Sequence, residues 1–363
     1  MATQFINSYL DGALFVPTSS VPSLKAYTDK VKIDVSMSCE NGADSEIETF
    51  FSTSLYSFGN IVELSDVGSL VEEYFRKRNK VADSISIVFD SISIDVHFLY
   101  CEYALPESFD LAKSFLIASH VQRVHQDSII AIATTNLSSG IPFIIKAVGH
   151  RIGDNSIAVV EKSVSKDISA EGVTYFSVLE ILKWVLKTSD TENDVAIRDV
   201  MYFSIEYCGI QKLCYIVPAQ AYLTFSFRNI FNVEEFFDVV GVLTTKTDIS
   251  RETAVCNGCS KQYDRYVNRT YQIDTEPLTN DEVSIFEQLI ASHHVCLYLD
   301  NTDFDILIDE HTCEHSSADD ALTTIKFTWR FAEQRPHIFD SIVNGIMPTR
   351  RKIFDETFSP EYE

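Results

Sequence analysis

Two short runs carry the residue types most able to do chemistry: Cys256-Asn-Gly-Cys259, and His311-Thr-Cys313-Glu-His315. A CxxC spacing lets two thiolates reach one tetrahedral ion, and Asn-Gly supplies the turn between them. On a strand, His311, Cys313 and His315 would project to one side. Together they could build a structural zinc site. The second run is not a second CxxC, so the set meets the structural-zinc patterns only by half. The expectation is no metal ligand, with zinc binding at Cys256, Cys259, His311, Cys313 and His315 left open. A Cys256–Cys259 redox pair would need a thioredoxin-like βαβ setting, which the surrounding pattern lacks.

Other chemistries find less. The chain has no GxGxxG and no GxxxxGK[ST], and only 12 glycines, so no phosphate-cradling loop is expected. No GxSxG elbow is present. Carboxylate pairs such as Glu72-Glu73, Glu234-Glu235 and Asp319-Asp320 read as solvated acidic faces rather than a glycosidase pair. His293-His294 follow a helix, where imidazole suits the negative end of the dipole. Trp184 and Trp329 could line a sugar-binding face, but Trp329 falls on the apolar side of its strand and reads as core. The expectation is therefore no catalytic, cofactor-binding or metal residue, no cofactor, and no enzyme.

Composition narrows the class. The chain has 363 residues and a formal net charge of −24. DNA binding draws its affinity from basic side chains that neutralise phosphates, and no basic stripe is present. No sequence-specific nucleic-acid binding is expected. The eight cysteines follow an N-terminus without a secretory pattern, so they read as reduced thiols of a protein made in a cytoplasm. No run approaches the roughly 18–20 apolar residues of a membrane helix.

The elements that must position these residues are mostly strands. Residues 31–37 alternate strictly, and 84–89, 92–101, 128–134, 142–149, 156–163, 199–207 and 211–217 read as further strands. A helix over 66–78, with Ser65 as its cap, carries Val67, Leu70, Val71, Tyr74 and Phe75 at helical spacing. A second spans 176–186. A third, over 281–292, is opened by a Thr279/Glu282 capping box. Pro218-Ala-Gln-Ala marks a boundary. The fold class is mainly β, β-sandwich or barrel-like, with a few flanking helices in two domains: residues 1–218 and 219–336, followed by a C-terminal extension, 337–363. LIASH occurs at Leu116–His120 and again at Leu289–His293 and reads as coincidence.

The second domain resembles the distal tail and tail-tube-like proteins of tailed bacteriophages, and hypothetical proteins of gut-bacterial prophages. The matching elements are Arg269-Thr-Tyr-Gln-Ile-Asp-Thr275, the helix to Ser292, the strand His294–Asp300, and Leu322–Phe331 with its exit Ala332–Pro336. The resemblance implies a structural virion protein of a tail tip, baseplate or tube. Such modules assemble as rings, usually sixfold, around a DNA channel, with other tail proteins as neighbours and an acidic wall that does not hold DNA. An alternative is a β-sandwich module that binds a carbohydrate or receptor, with Tyr100, Tyr103 and Phe109 as its exposed aromatics.

Overall fold

The computed structural model describes residues 3–6, 15–21, 23–41, 46–106, 109–110, 114–135, 141–151, 156–166, 172–187, 197–217, 222–299, 302–313 and 323–332. The chain is mainly β, and the described residues contain three α-helices.

Alternating apolar residues build the first unit. It contains β1 (Gln4–Phe5), β2 (Val16–Pro17), β3 (Ser23–Tyr27), β4 (Lys32–Asn41), β5 (Glu46–Tyr56), β6 (Ile61–Ser65), α1 (Val67–Arg78), β7 (Ala82–Phe89) and β8 (Ile92–Leu99). Its sheets run β1-β3-β6 and β2-β8-β7-β4-β5. Ile33, Val35 and Met37 of β4 enter a core with Val71 and Phe75 of α1. Ser65 does not cap that helix. It is still a strand residue paired with Ser23, and the N-cap is Asp66 in the left-handed region, without a side-chain capping bond.

The second unit contains β9 (Val121–Val124), β10 (Ile129–Ala133), β11 (Phe143–Arg151), β12 (Ile157–Val164), β13 (Val173–Ser177), α2 (Val178–Lys187), β14 (Ile197–Tyr207) and β15 (Ile210–Ile216). Its main sheet runs β12-β11-β14-β15-β9, and β10 pairs with β13. The second helix begins two residues later than its apolar period suggests, because Val173–Ser177 is engaged with β10. Val178, Ile181 and Val185 pack on Phe143, Phe203 and Ile205.

The third unit is one seven-stranded sheet, β17-β16-β20-β21-β22-β19-β18, covered on one face by a helix. Its elements are β16 (Leu223–Arg228), β17 (Glu234–Val239), β18 (Gly241–Cys256), β19 (Cys259–Thr275), α3 (Asn280–Ala291), β20 (Val295–Leu299), β21 (Thr302–Cys313) and β22 (Ile325–Phe331). The expected capping box is formed: Thr279 accepts from the Glu282 amide, and Glu282 accepts from the Thr279 amide. Phe286 of α3 sits edge-on to Phe237 and Phe327, and Trp329 stacks on Tyr271 at 4.5 Å. Burying each such aromatic contributes about 1.5–3 kcal/mol.

Residues 1–218 thus contribute one large buried cluster to each of the first two units, and a third large cluster belongs to the sheet from Leu223 onward. The boundary residues 218–221, the 337–363 extension and Asp319-Asp320 lie outside the described residues. The two LIASH copies differ in conformation: the first precedes β9 and the second ends α3, consistent with coincidence. A smaller apolar cluster joins the three units, bringing Leu99 and Cys101 against Leu116, Ala131, Phe231 and Val233.

Candidate functional site

The most distinctive surface is an arm. β18 and β19 pair over their whole length, from Gly241↔Thr275 to Cys256↔Cys259. Only Tyr271–Asp274 of β19 also pairs with β22. Beyond that root the hairpin continues as a two-stranded ribbon. At about 3.3 Å per residue, the eleven residues from Lys246 to Cys256 extend roughly 35 Å. Sequence chemistry explains both ends. Gly241 is needed at the root because a Cβ there would lie 2.2 Å from the Asp274 carbonyl oxygen. At the tip, Asn257 (φ 54°) and Gly258 (φ 78°) form the left-handed pair that a two-residue hairpin turn requires.

The described side chains of the ribbon from Lys246 to Gln262 are exposed. Val242, Ile249 and Val255 of the outermost strand are 69 %, 51 % and 74 % exposed. Among the described residues, no strand pairs with the outer side of β18. The charge of the arm also departs from that of the chain. Lys246, Arg251, Lys261, Arg265 and Arg269 outnumber Asp248, Glu252 and Asp264, within a chain of net −24. A lone two-stranded ribbon is marginal in water, and a free apolar edge strand invites pairing with another chain.

Polar joints hold the body that carries the arm. Arg123 of β9 reaches Glu282 of α3 through two bonds, Nη2 to Oε2 at 2.7 Å and Nε to Oε1. Lys212 and Glu235 are both buried, 3.7 Å apart. Lys212 also donates to the Ser119 carbonyl, and Glu235 accepts from Asn229 and the Ala118 amide at 2.6 Å. Burial pushes the Glu235 carboxyl up, and the Lys212 charge only partly offsets it. Asn232 donates to the Phe75 and Lys80 carbonyls, tying the third unit to the end of α1.

One joint contains Asp, His and Ser. Asp238 accepts from His125 Nδ1 at 3.2 Å, from Thr224 Oγ1 at 2.6 Å, and from Ser128 Oγ. Burial pushes Asp238 up, but these bonds outweigh it and hold the carboxyl below its usual range. His125 stacks on Tyr222 at 4.0 Å, and its Nε2 is buried without a partner among the described residues. The Ser128 hydroxyl donates to the carboxylate, not to the imidazole. A nucleophilic triad needs the serine on the imidazole nitrogen, so this cluster clamps β17 to the loop after β9 and activates no hydroxyl.

No protein-family model matches the chain, and no curated protein matches it.

The residues singled out by type and spacing are dispersed by the register. Cys256 and Cys259 are at the tip of the arm. His311 pairs with Phe327 and Cys313 with Ile325, two strands over from β19 and level with its root. From Cys259 to Ile273, which pairs with Phe327, are fourteen steps of strand, roughly 45 Å. The two halves of the half-fitting zinc pattern are therefore not brought together, and His315 lies outside the described residues. Glu235 is not part of a solvated face: it is buried on Lys212. Glu72 accepts from Thr18, while Glu73 is exposed and paired with Lys77. Tyr100 is buried and bonded to Arg76 and Glu102, and Phe109 stacks on Phe231, so of the three proposed aromatics only Tyr103 is exposed. Trp329 is fully buried, whereas Trp184 is half-buried under Lys162. His293 faces Glu102 at 3.7 Å. His294 instead joins Cys296 and Asp305, a trio whose ligating atoms lie within 4.8 Å of one another. The alternation of β20 and the acidic strand opposite it were the only sequence signals for that trio.

Proposed function

We propose that this chain is a structural protein of a phage tail, a ring component of the tail tip, baseplate or tube that assembles with copies of itself around the DNA channel. The observation that carries the reading is the arm: a solvent-exposed, partly apolar ribbon, richer in base than acid, rooted in an otherwise acidic body. An arm of one copy laid on the acidic body of the next is a heterologous contact, which closes a ring when its rotation closes. Pairing β18 with a neighbouring strand would satisfy its open edge. An acidic bore would let DNA pass, since it offers no counterion release. The resemblance of residues 221–336 to tail-tube-like modules supports the same assembly.

The test is oligomer mass by mass photometry and negative-stain imaging, for the full chain and for a variant in which residues 247–268 are replaced by Asn-Gly. Rings for the full chain and monomers for the variant are expected. A full chain that stays monomeric at high micromolar concentration and joins no particle in a phage-producing culture would refute the proposal.

A further inference from the structure

His294, Cys296 and Asp305 occupy one patch because of the sheet register. Cys296 of β20 is two residues beyond His294, which immediately precedes the strand, and the two-residue period of extended backbone puts them on the same face. Cys296 lies directly across from Asp305 on β21. Its Sγ is 3.5 Å from His294 Nε2 and 3.2 Å from Asp305 Oδ1. Both strands are interior to the seven-stranded sheet, so their spacing is fixed by hydrogen bonding on both sides. Cys296 is only 2 % exposed, while His294 and Asp305 open to solvent.

The Cys296–His294 separation of 3.5 Å is that of two ligands of a tetrahedral ion, and Asp305 Oδ1 lies close enough to Cys296 to be a third. With metal–sulfur and metal–nitrogen bonds of about 2.3 and 2.0 Å, a tetrahedral angle places the two ligand atoms about 3.5 Å apart. We propose that His294, Cys296 and Asp305 form a mononuclear zinc site, with a fourth position open to water. The thiolate sets the ion class, because calcium and magnesium take hard oxygen ligands, whereas sulfur with imidazole selects zinc and its borderline-soft neighbours. On binding, the Cys296 S–H bond breaks, a Zn–S bond forms, and one proton passes to solvent. The ion pins β20 to β21 and leaves an exchangeable site on the face of the sheet opposite α3. The site is distinct from the cysteines at the tip of the arm and does not depend on ring assembly.

Cobalt(II), the spectroscopic stand-in for zinc, tests the site on the full-length chain purified with chelator and then freed of it. One equivalent is expected to give a thiolate-to-cobalt charge-transfer band and the intense visible bands of four-coordination, and one equivalent of zinc should displace it. Cys296→Ser should remove the band. His294→Ala and Asp305→Asn should each weaken zinc binding by more than the roughly 10- to 100-fold attributed to outer-shell partners. His294 is exposed, so its variant tests the site without disturbing the core; circular dichroism checks that it folds. A Cys208→Ser/Cys256→Ser/Cys259→Ser variant should bind as the parent does. Absence of the band at one equivalent, its survival in Cys296→Ser, or its loss in the triple variant would each overturn the assignment.

Discussion

Arg123 and Glu282 meet across the boundary between the second and third units, and the same glutamate closes the capping box of α3. Glu282 Oε2 accepts from Arg123 Nη2 at 2.7 Å and from the Thr279 amide at 2.9 Å. One buried carboxylate therefore starts a helix and fixes a neighbouring sheet against it. Glu282→Ala loses a cap and strands a partly exposed arginine, with an expected cost of about 2–4 kcal/mol. Glu282→Gln keeps the cap geometry and should cost less. Urea unfolding of both variants checks the order; equal costs would mean that the cap contributes nothing beyond the arginine pair.

Acid should weaken the joint at Asp238. Its folded-state carboxyl is held below its ordinary value, so the unfolded chain takes up the proton first as pH falls. The stability it contributes is fully present above the unfolded value of about 3.9 and is lost as pH drops through the folded one. Glu235 has the opposite sign: its raised carboxyl costs stability as pH rises from about 4.3 toward the folded value. Asp238→Asn should flatten the acid limb of a plot of melting temperature against pH below about 4, and Glu235→Gln should not.

Much of the fold was legible in the sequence because its signals were local. The alternation of Ile33, Val35 and Met37, the paired strands at 199–207 and 211–217, and the Thr279/Glu282 box depend on neighbours a few residues away, and each appears in the structure. What escaped was decided at long range. Glu234-Glu235 reads as a solvated acidic face, yet it opens a strand in which Glu235 is buried beside Lys212, 23 positions away. The ribbon from Lys246 to Gln262 is too polar to announce a strand, since its described side chains are all exposed. The His294–Cys296–Asp305 trio depends on a cross-strand register that no spacing along the chain encodes. Conversely, the CxxC run was conspicuous as a motif, and the same kind of register carried it away from its supposed partners.

The third unit should be sensitive to Trp329. The ring is fully buried and stacked on Tyr271, and its indole nitrogen has no hydrogen-bond partner among the described residues. Trp329→Ala should cost about 3–5 kcal/mol through the cavity it leaves. Trp329→Phe removes the unpaired N–H along with part of the ring, and these effects oppose each other, so its cost should be clearly smaller. Chemical denaturation followed by circular dichroism distinguishes the two; equal losses would place the stability in the indole nitrogen instead of the volume.

Self-association through the arm should depend on salt. Exposed charges interact over about 8 Å at physiological ionic strength and about 3 Å at 1 M, so a basic ribbon held on an acidic body weakens as salt rises. An assembly held by strand pairing and Val255 alone would be indifferent or would strengthen. Reversing Lys246, Arg251 and Lys261 to Glu should raise the concentration needed for assembly while leaving the melting temperature of the monomer unchanged, because these side chains are exposed. Val255→Asp should raise that concentration at every salt level. Sedimentation at low and high salt separates the two contributions: if the charge-reversed arm assembles as readily as the parent at low salt, the arm is not read by an acidic surface and its contact must be apolar.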